Sequence, residues 1–187
     1  ANIMNLLYNS ADGVALVSSN EGWGLSLTEA MMVGKPIIAT VTGGMQDQMR
    51  FEFEDGTWID FDEEFPSNHR GTYKKHGEWA FPVFPSIRTL VGSPPTPYIW
   101  DDICSPEDAA KQIMAVYSLT PEERKTRGLK GREWAVSDEA GFTAETQGKR
   151  VIEALDELFT TWKPREKFEL INTKNIQKRV LNHKLVY

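Results

Sequence analysis

The sequence predicts an α/β fold built on a parallel sheet, and three features predict it. Val14-Ala15-Leu16-Val17 and Pro36-Ile37-Ile38-Ala39-Thr40 are short, mostly apolar runs of the kind that buried strands use. Leu25 to Val33 lies between them with helical character and stops at Gly34. Strand, loop, helix and strand in about 28 residues make a βαβ unit, whose crossover is expected to be right-handed. The third feature is helix grammar in the C-terminal half. Ser105-Pro106-Glu107-Asp108 and Thr120-Pro121-Glu122-Glu123 each supply a capping hydroxyl, a proline at the first helical position and acids in the first turn.

The elements follow in order. Residues 3–10 read as the end of a helix, broken by Asp12-Gly13. The first strand, the helix from Leu25 and the second strand come next. Thr42-Gly43-Gly44 is a turn that opens a further loop and helix. Residues 50–104 are different: they hold eleven of the chain's twenty aromatic residues, many Pro and Gly, and little periodicity. That stretch is expected to be a large irregular insertion with a small core of its own, since disordered linkers are poor in aromatics. Within it, Trp79 to Phe84 reads as a strand, and Pro82 argues for a sheet edge. Helices are expected from Ser105 to about Tyr117 and from Thr120 to about Val136. Thr143 caps a last one, with Val151, Ile152, Leu155, Leu158, Phe159 and Trp162 as an apolar stripe and Pro164 as its end. This gives a main domain over 1–162 and a basic tail or helix over 163–187.

Composition bounds the function. Net charge is −6, so the bulk of the chain does not read as a nucleic-acid binder. From Lys163 to Tyr187, seven Lys and Arg stand against two Glu, a basic end on an acidic body. A single cysteine, Cys104, permits no internal disulfide and points to a reducing, cytoplasmic setting; it reads as inert packing. No apolar run approaches the ~20 residues of a transmembrane segment.

The stretch that carries chemistry is Ser19-Asn20-Glu21-Gly22-Trp23-Gly24-Leu25-Ser26-Leu27-Thr28-Glu29-Ala30. It follows a presumed parallel strand, at the strand end where open α/β sheets bind ligands. The helix it opens presents unpaired N–H groups and a positive dipole end. Gly22 and Gly24 let backbone approach a ligand closely. These parts suit a diphosphate. Two carboxylates would repel a phosphate but accept hydrogen bonds from a diol. Phosphate-binding backbone flanked by diol-binding acids describes a nucleotide-sugar site.

The run S-S-N-E-G-W-G-L-S-L-T-E-A-M-M-V-G-K-P-I-I-A-T-V-T-G-G resembles the E-x7-E signature of the retaining, group 1 glycosyltransferases of GT-B architecture. The resemblance covers about Ala11 to Asp47 and returns more weakly over 105–162, where the paired helices look like that family's C-terminal helices. It implies a Rossmann-like parallel sheet, here a partial C-terminal domain of a GT-B glycosyltransferase. It implies that Glu21 is catalytic, contacting the donor sugar's hydroxyls near the reacting carbon. Trp23, Gly24 and Leu25, with Gly22, match the loop whose amides meet sugar and diphosphate. Glu29 matches the glutamate that holds the ribose, and Gly43 and Gly44 the turn lining the same cleft. Asp47 stands where many relatives carry Glu. The family uses no metal or other cofactor, and its phosphate-binding Arg and Lys precede this stretch. The donor is expected to be UDP- or GDP-linked, and the acceptor a hydroxyl on, for example, a glycan or lipid. The lack of an initiator Met raises the expectation that an N-terminal half or another chain completes the site.

Blander readings stand beside these. Trp23 can serve only as packing, and Gly43-Gly44 as a plain turn. His69 and His76 read as solvated loop residues rather than metal ligands, because their spacing fits no metal motif. The acidic run 52–64 reads as a solvated face. Two other functions stay open: a sugar-nucleotide epimerase, which would draw its acid or base from His69 or His76, and a non-catalytic binding or assembly module.

Overall fold

The computed structural model describes residues 2–59 and 65–165. The chain divides into two units at Gln147/Gly148. The first contains α1 (Asn2–Ser10), β1 (Val14–Leu16), α2 (Leu25–Met32), β2 (Ile37–Thr40), α3 (Met45–Met49), β3 (Ala80–Val83), β4 (Ile87–Ser93), β5 (Thr96–Ile103), α4 (Pro106–Tyr117) and α5 (Pro121–Ala135). Helix α6 (Ala144–Thr161) crosses the boundary.

The fold is mixed α/β around a parallel three-stranded sheet in the order β1-β2-β3. Ala15 lies opposite Ile38, and Ile38 opposite Phe81. The central strand β2 is buried on all four residues. Its side chains alternate between two cores, as the period of a strand requires. Ile37 and Ala39 join Leu27, Ala30 and Met31 of α2, Met45 and Met49 of α3, and Trp134 of α5. Ile38 turns the other way, to Phe81, Val83 and Val116 of α4. Covering both faces is what a parallel sheet needs. Each fully buried Leu, Ile or Met contributes roughly 1.5–3 kcal/mol through burial.

The helix caps form as their sequences dictate. The Ser105 side chain accepts the Asp108 N–H, and Thr120 and Glu123 complete a reciprocal capping box. Thr143 Oγ1 accepts the Thr146 N–H at 3.2 Å. Among the described residues no helix is long and apolar enough to cross a membrane.

Four expectations change. First, β1 is only half-buried, not buried, and ends one residue early at Leu16. It is an outer strand of the described sheet, so one of its edges lacks a neighbour there. Second, the stretch 50–104 is not one irregular insertion. It contains β3, a strand of the main sheet, and the antiparallel hairpin β4–β5. Third, its aromatics do not keep a separate core: Phe51 and Trp79 pack into the cluster of α2 and α3, because β3 draws the segment onto the sheet. Fourth, the acidic run is not simply solvated. Glu52 pairs with Arg50, which also meets Glu139; residues 60–64 of the run lie outside the described residues. The apolar stripe of α6 is exposed at Val151, Ile152 and Phe159. Most of the basic tail, 166–187, also lies outside the described residues.

Candidate functional site

Both motif segments leave the sheet at carboxyl ends of neighbouring strands. β1 feeds the loop 17–24 and β2 feeds the turn 41–44. Parallel pairing puts the two exits on one side, where such sheets bind ligands.

The segments meet backbone to backbone. A Cβ on Gly43 would collide with the Glu21 carbonyl oxygen, and one on Gly44 with the Gly22 carbonyl oxygen. Gly43 also has φ +48°, in the left-handed region. Gly24 caps α2 at φ 83° with no side-chain cap, and of the first-turn N–H groups that of Leu27 donates to the Gly24 carbonyl at 2.9 Å. The Gly22 side-chain direction faces open space. Glu21 is half-buried, and its carboxylate has no hydrogen bond or ion pair among the described residues. A free carboxylate beside open backbone can accept from ligand hydroxyls. Leu25 is 70% exposed at the helix start.

Glu29 is exposed on α2, and its Oε2 accepts the Tyr8 hydroxyl proton at 2.6 Å. That bond and the nearby negative charge raise the Tyr8 pKa. The Trp23 ring packs: it meets Phe142 edge-on at 4.9 Å, and its Nε1–H donates to Thr28 Oγ1 at 2.9 Å. Thr28 in turn donates to Gln48 Oε1 at 2.8 Å, and the Gln48 amide donates to the Trp23 carbonyl. Any ligand contact at Trp23 therefore falls to its backbone N–H. Gln48 is fully buried and locks the loop to α3.

A second set of residues was not visible in the motif. Hairpin β4–β5 stands at the same edge of the sheet, because it follows β3 directly. Its Asp102 is 1% exposed and joins both site loops. The Asp102 N–H donates to the Ser19 carbonyl at 2.8 Å, and Thr42 Oγ1 donates to Asp102 Oδ2 at 2.7 Å. Asn20 Nδ2 donates to the Trp100 carbonyl at 3.2 Å. Arg88 Nε lies 3.6 Å from Asp102 Oδ1. Ser67 supports the glycine turn, accepting the Gly43 N–H at 2.8 Å. The β-branched Ile87, Thr89 and Val91, with the aromatics Tyr98 and Trp100, were the available strand signal.

The remaining titratable groups divide by burial. Asp47, on α3 just after the turn, has its pKa pushed up to about 6 by burial. His69 is a correction: it is 3% exposed, not solvated. It lies within 4.3 Å of the Phe51 ring and 5.2 Å of the Tyr73 ring, and burial lowers its pKa to about 4. His76 is half-buried, with Nδ1 3.0 Å from the Gly77 carbonyl. Both imidazoles are thus held towards the neutral form by burial. Cys104 is half-buried, 3.4 Å from Thr40 Oγ1, and burial raises its thiol pKa, which suits packing rather than reactivity. Among the described residues no three His, Cys, Asp or Glu side chains form a group that could hold a metal.

With this geometry in place, known proteins can be compared. Residues 2–65 match the family of group 1 glycosyl transferases. The matched segment spans α1 through the site turn and α3. Over 120 residues the chain is 28% identical to a Methanocaldococcus jannaschii protein described as an uncharacterized glycosyltransferase. That alignment covers 62% of this chain and 27% of the relative, so the chain spans about a quarter of the relative's length. Both similarities are to glycosyltransferases, and the three-stranded parallel sheet is consistent with a Rossmann-like domain.

Proposed function

We propose that this chain supplies the donor-binding side of an enzyme that moves a hexose from a nucleotide diphosphate sugar, UDP- or GDP-linked, to a hydroxyl acceptor with retention. One observation supports this most: the turn Gly43-Gly44 lies against the Glu21-Gly22 backbone at the carboxyl edge of the sheet. Together they leave an open backbone surface, an uncapped helix start and a free carboxylate side by side. In this reading the 22–25 backbone and the start of α2 meet the diphosphate. Glu21 orients the sugar, as the residue that touches the reacting ring. Glu29, braced by Tyr8, holds the ribose hydroxyls.

Catalysis in this scheme is positional and electrostatic. The leaving diphosphate is stabilised as the C–O bond breaks, and the sugar is held while its anomeric carbon becomes cation-like. The complete site needs parts beyond those described, including an acceptor-binding side.

The test is Glu29→Ala in the full-length polypeptide. Loss of a charge-assisted hydrogen bond, about 1.5–3 kcal/mol, raises the donor KM roughly tenfold or more while changing kcat less. An unchanged KM rules out the ribose role. Failure of the intact protein to bind either UDP or GDP by calorimetry rules out the donor reading itself.

A further inference from the structure

A cavity of about 370 Å³ opens beside the glycine turn, between the 66–73 loop and the hairpin. Its described lining includes Arg70, Arg88, His69 and Thr72, and holds no carboxylate. Arg88 is fixed in place from three directions. Its Nε faces Asp102 at 3.6 Å, its guanidinium donates to Ser67 Oγ at 3.1 Å, and its plane lies 5.5 Å from the Trp100 ring centre. Arg70 projects from a left-handed position at φ 51°, its N–H held by Asn68 Oδ1 at 2.7 Å. Lys74 adds a third cation near the His69 ring, and among the described residues Asp102 is the acid paired with Arg88.

His69 adds an unused donor. Its Nδ1 faces the Tyr73 N–H at 3.4 Å, which leaves the proton of the neutral ring on Nε2. That Nε2 is buried with no partner among the described residues. Arg88 Nε makes no hydrogen bond within range, and its charge is met by Asp102 Oδ1 at 3.6 Å. A buried donor without an acceptor is uncommon, and His69 Nε2 at the cavity wall suits an acceptor-rich ligand. Ser67 connects this cavity to the site. Its Oγ accepts from Arg88, and its carbonyl accepts from Gly43.

We propose that this cavity is an anion site that binds a phosphate group, with Arg70 and Arg88 as its charged donors. Guanidinium forks match phosphate oxygens in pairs, and a prearranged Arg88 loses little freedom on binding. The cavity is larger than one phosphate, so the group arrives as part of a bigger molecule. Its assignment to glycosyl transfer rests on the donor reading above; the anion site itself does not. Two sources share this chemistry: the donor's diphosphate, reaching past the glycine turn, or a phosphate on the acceptor.

The experiment is calorimetric titration of the intact chain with pyrophosphate, UDP and GDP. The variants are Arg70→Gln and Arg88→Lys, each checked for folding by circular dichroism. Arg70 is exposed, so Arg70→Gln is expected to fold normally. Expected results are pyrophosphate binding weakened about tenfold by Arg70→Gln and severalfold by Arg88→Lys. If Arg70→Gln also weakens UDP or GDP, the phosphate is the donor's. If it weakens pyrophosphate alone, an acceptor phosphate is the source. Equal pyrophosphate affinity in the parent and both arginine variants overturns the site, as does no binding to the parent. Arginine-dependent pyrophosphate binding without any UDP or GDP binding keeps the anion site and removes the donor reading.

Discussion

The βαβ segment and the β4–β5 hairpin reach the same edge of the sheet by opposite routes. In the first, the bonds that shape the site join residues 20 and 25 positions apart, Thr28 to Gln48 and Gln48 to Trp23. In the second they span 60, 80 and 82 positions, from Thr42, Asn20 and Ser19 to Asp102, Trp100 and Asp101. The short route carries its geometry within one supersecondary unit, so its residues recur together as a motif. The long route depends on where β3 delivers the chain, and no local pattern encodes that. The geometry of the proposed site comes from both: the motif supplies the open backbone and the free carboxylate, and the hairpin fixes the two loops relative to each other.

The sharpest way to break the short route is Gly43→Ala. The new Cβ meets the Glu21 carbonyl oxygen and a left-handed φ at once. Strain and collision together are expected to cost about 3 kcal/mol. Urea denaturation should show a lower midpoint with an unchanged slope. A midpoint equal to the parent's would mean that the two loops are not packed as described.

Breaking the long route is expected to cost less. Asp102→Ala leaves Thr42 and Arg88 without their acceptor, but Arg88 keeps partial solvent access. The expected loss is about 2 kcal/mol, below the range for breaking a fully buried pair. Asp102→Asn keeps an oxygen for Thr42 and should recover part of it. Nucleotide affinity should fall with Asp102→Ala although this residue lies outside the family-matched segment. Full stability and affinity in Asp102→Ala would reduce the hairpin to a passenger.

This contrast explains what was legible. Strand β2, helix α2 and the three hydroxyl caps follow from periodicity and local chemistry, and the structure has them. The meeting of Glu21 with Gly43 was readable only through the motif. Tyr8 against Glu29, Gln48 under Trp23 and Asp102 between two loops were not readable, since each pairs residues from separate elements. His69 was misread for the same reason: its solvent exposure is set by Phe51, Tyr73 and Phe84, which a sequence window does not assemble.

Two buried groups near the contrasted regions titrate with opposite consequences. Asp47 has a folded pKa near 6, above its ordinary 3.8. Between those values the native state holds a proton that the unfolded state has lost, so stability falls as pH rises. His69 has a folded pKa near 4, below its ordinary 6.5. There the unfolded state holds the extra proton, so stability falls as pH drops through that window. Removing either group exposes the other. Asp47→Asn should stabilise the protein at pH 7 by about 1 kcal/mol, after discounting for remaining solvent contact, and should make it more sensitive to acid between pH 6 and 4. A thermal-melt series over pH 4–7 decides this; a parallel shift at all pH values would remove Asp47 as the source.

The smallest expected effect concerns β3, the strand that carries the hairpin to the site. The Trp79 and Val83 carbonyls accept from Ile37 and Val41 of the β2 side. In a parallel strand the alternate residues point the other way. Pro82 is one of these, so its missing N–H lies on the side away from β2 and interrupts no bond of the described ladder. Pro82→Ala should therefore change stability by less than about 1 kcal/mol, mostly through added freedom of the unfolded chain. Nucleotide binding should stay as it was. A loss above 2 kcal/mol would mean that the proline ring itself packs on the face of Ala39 and Ala80, and that the delivery of the hairpin depends on this strand's side chains rather than on its pairing alone.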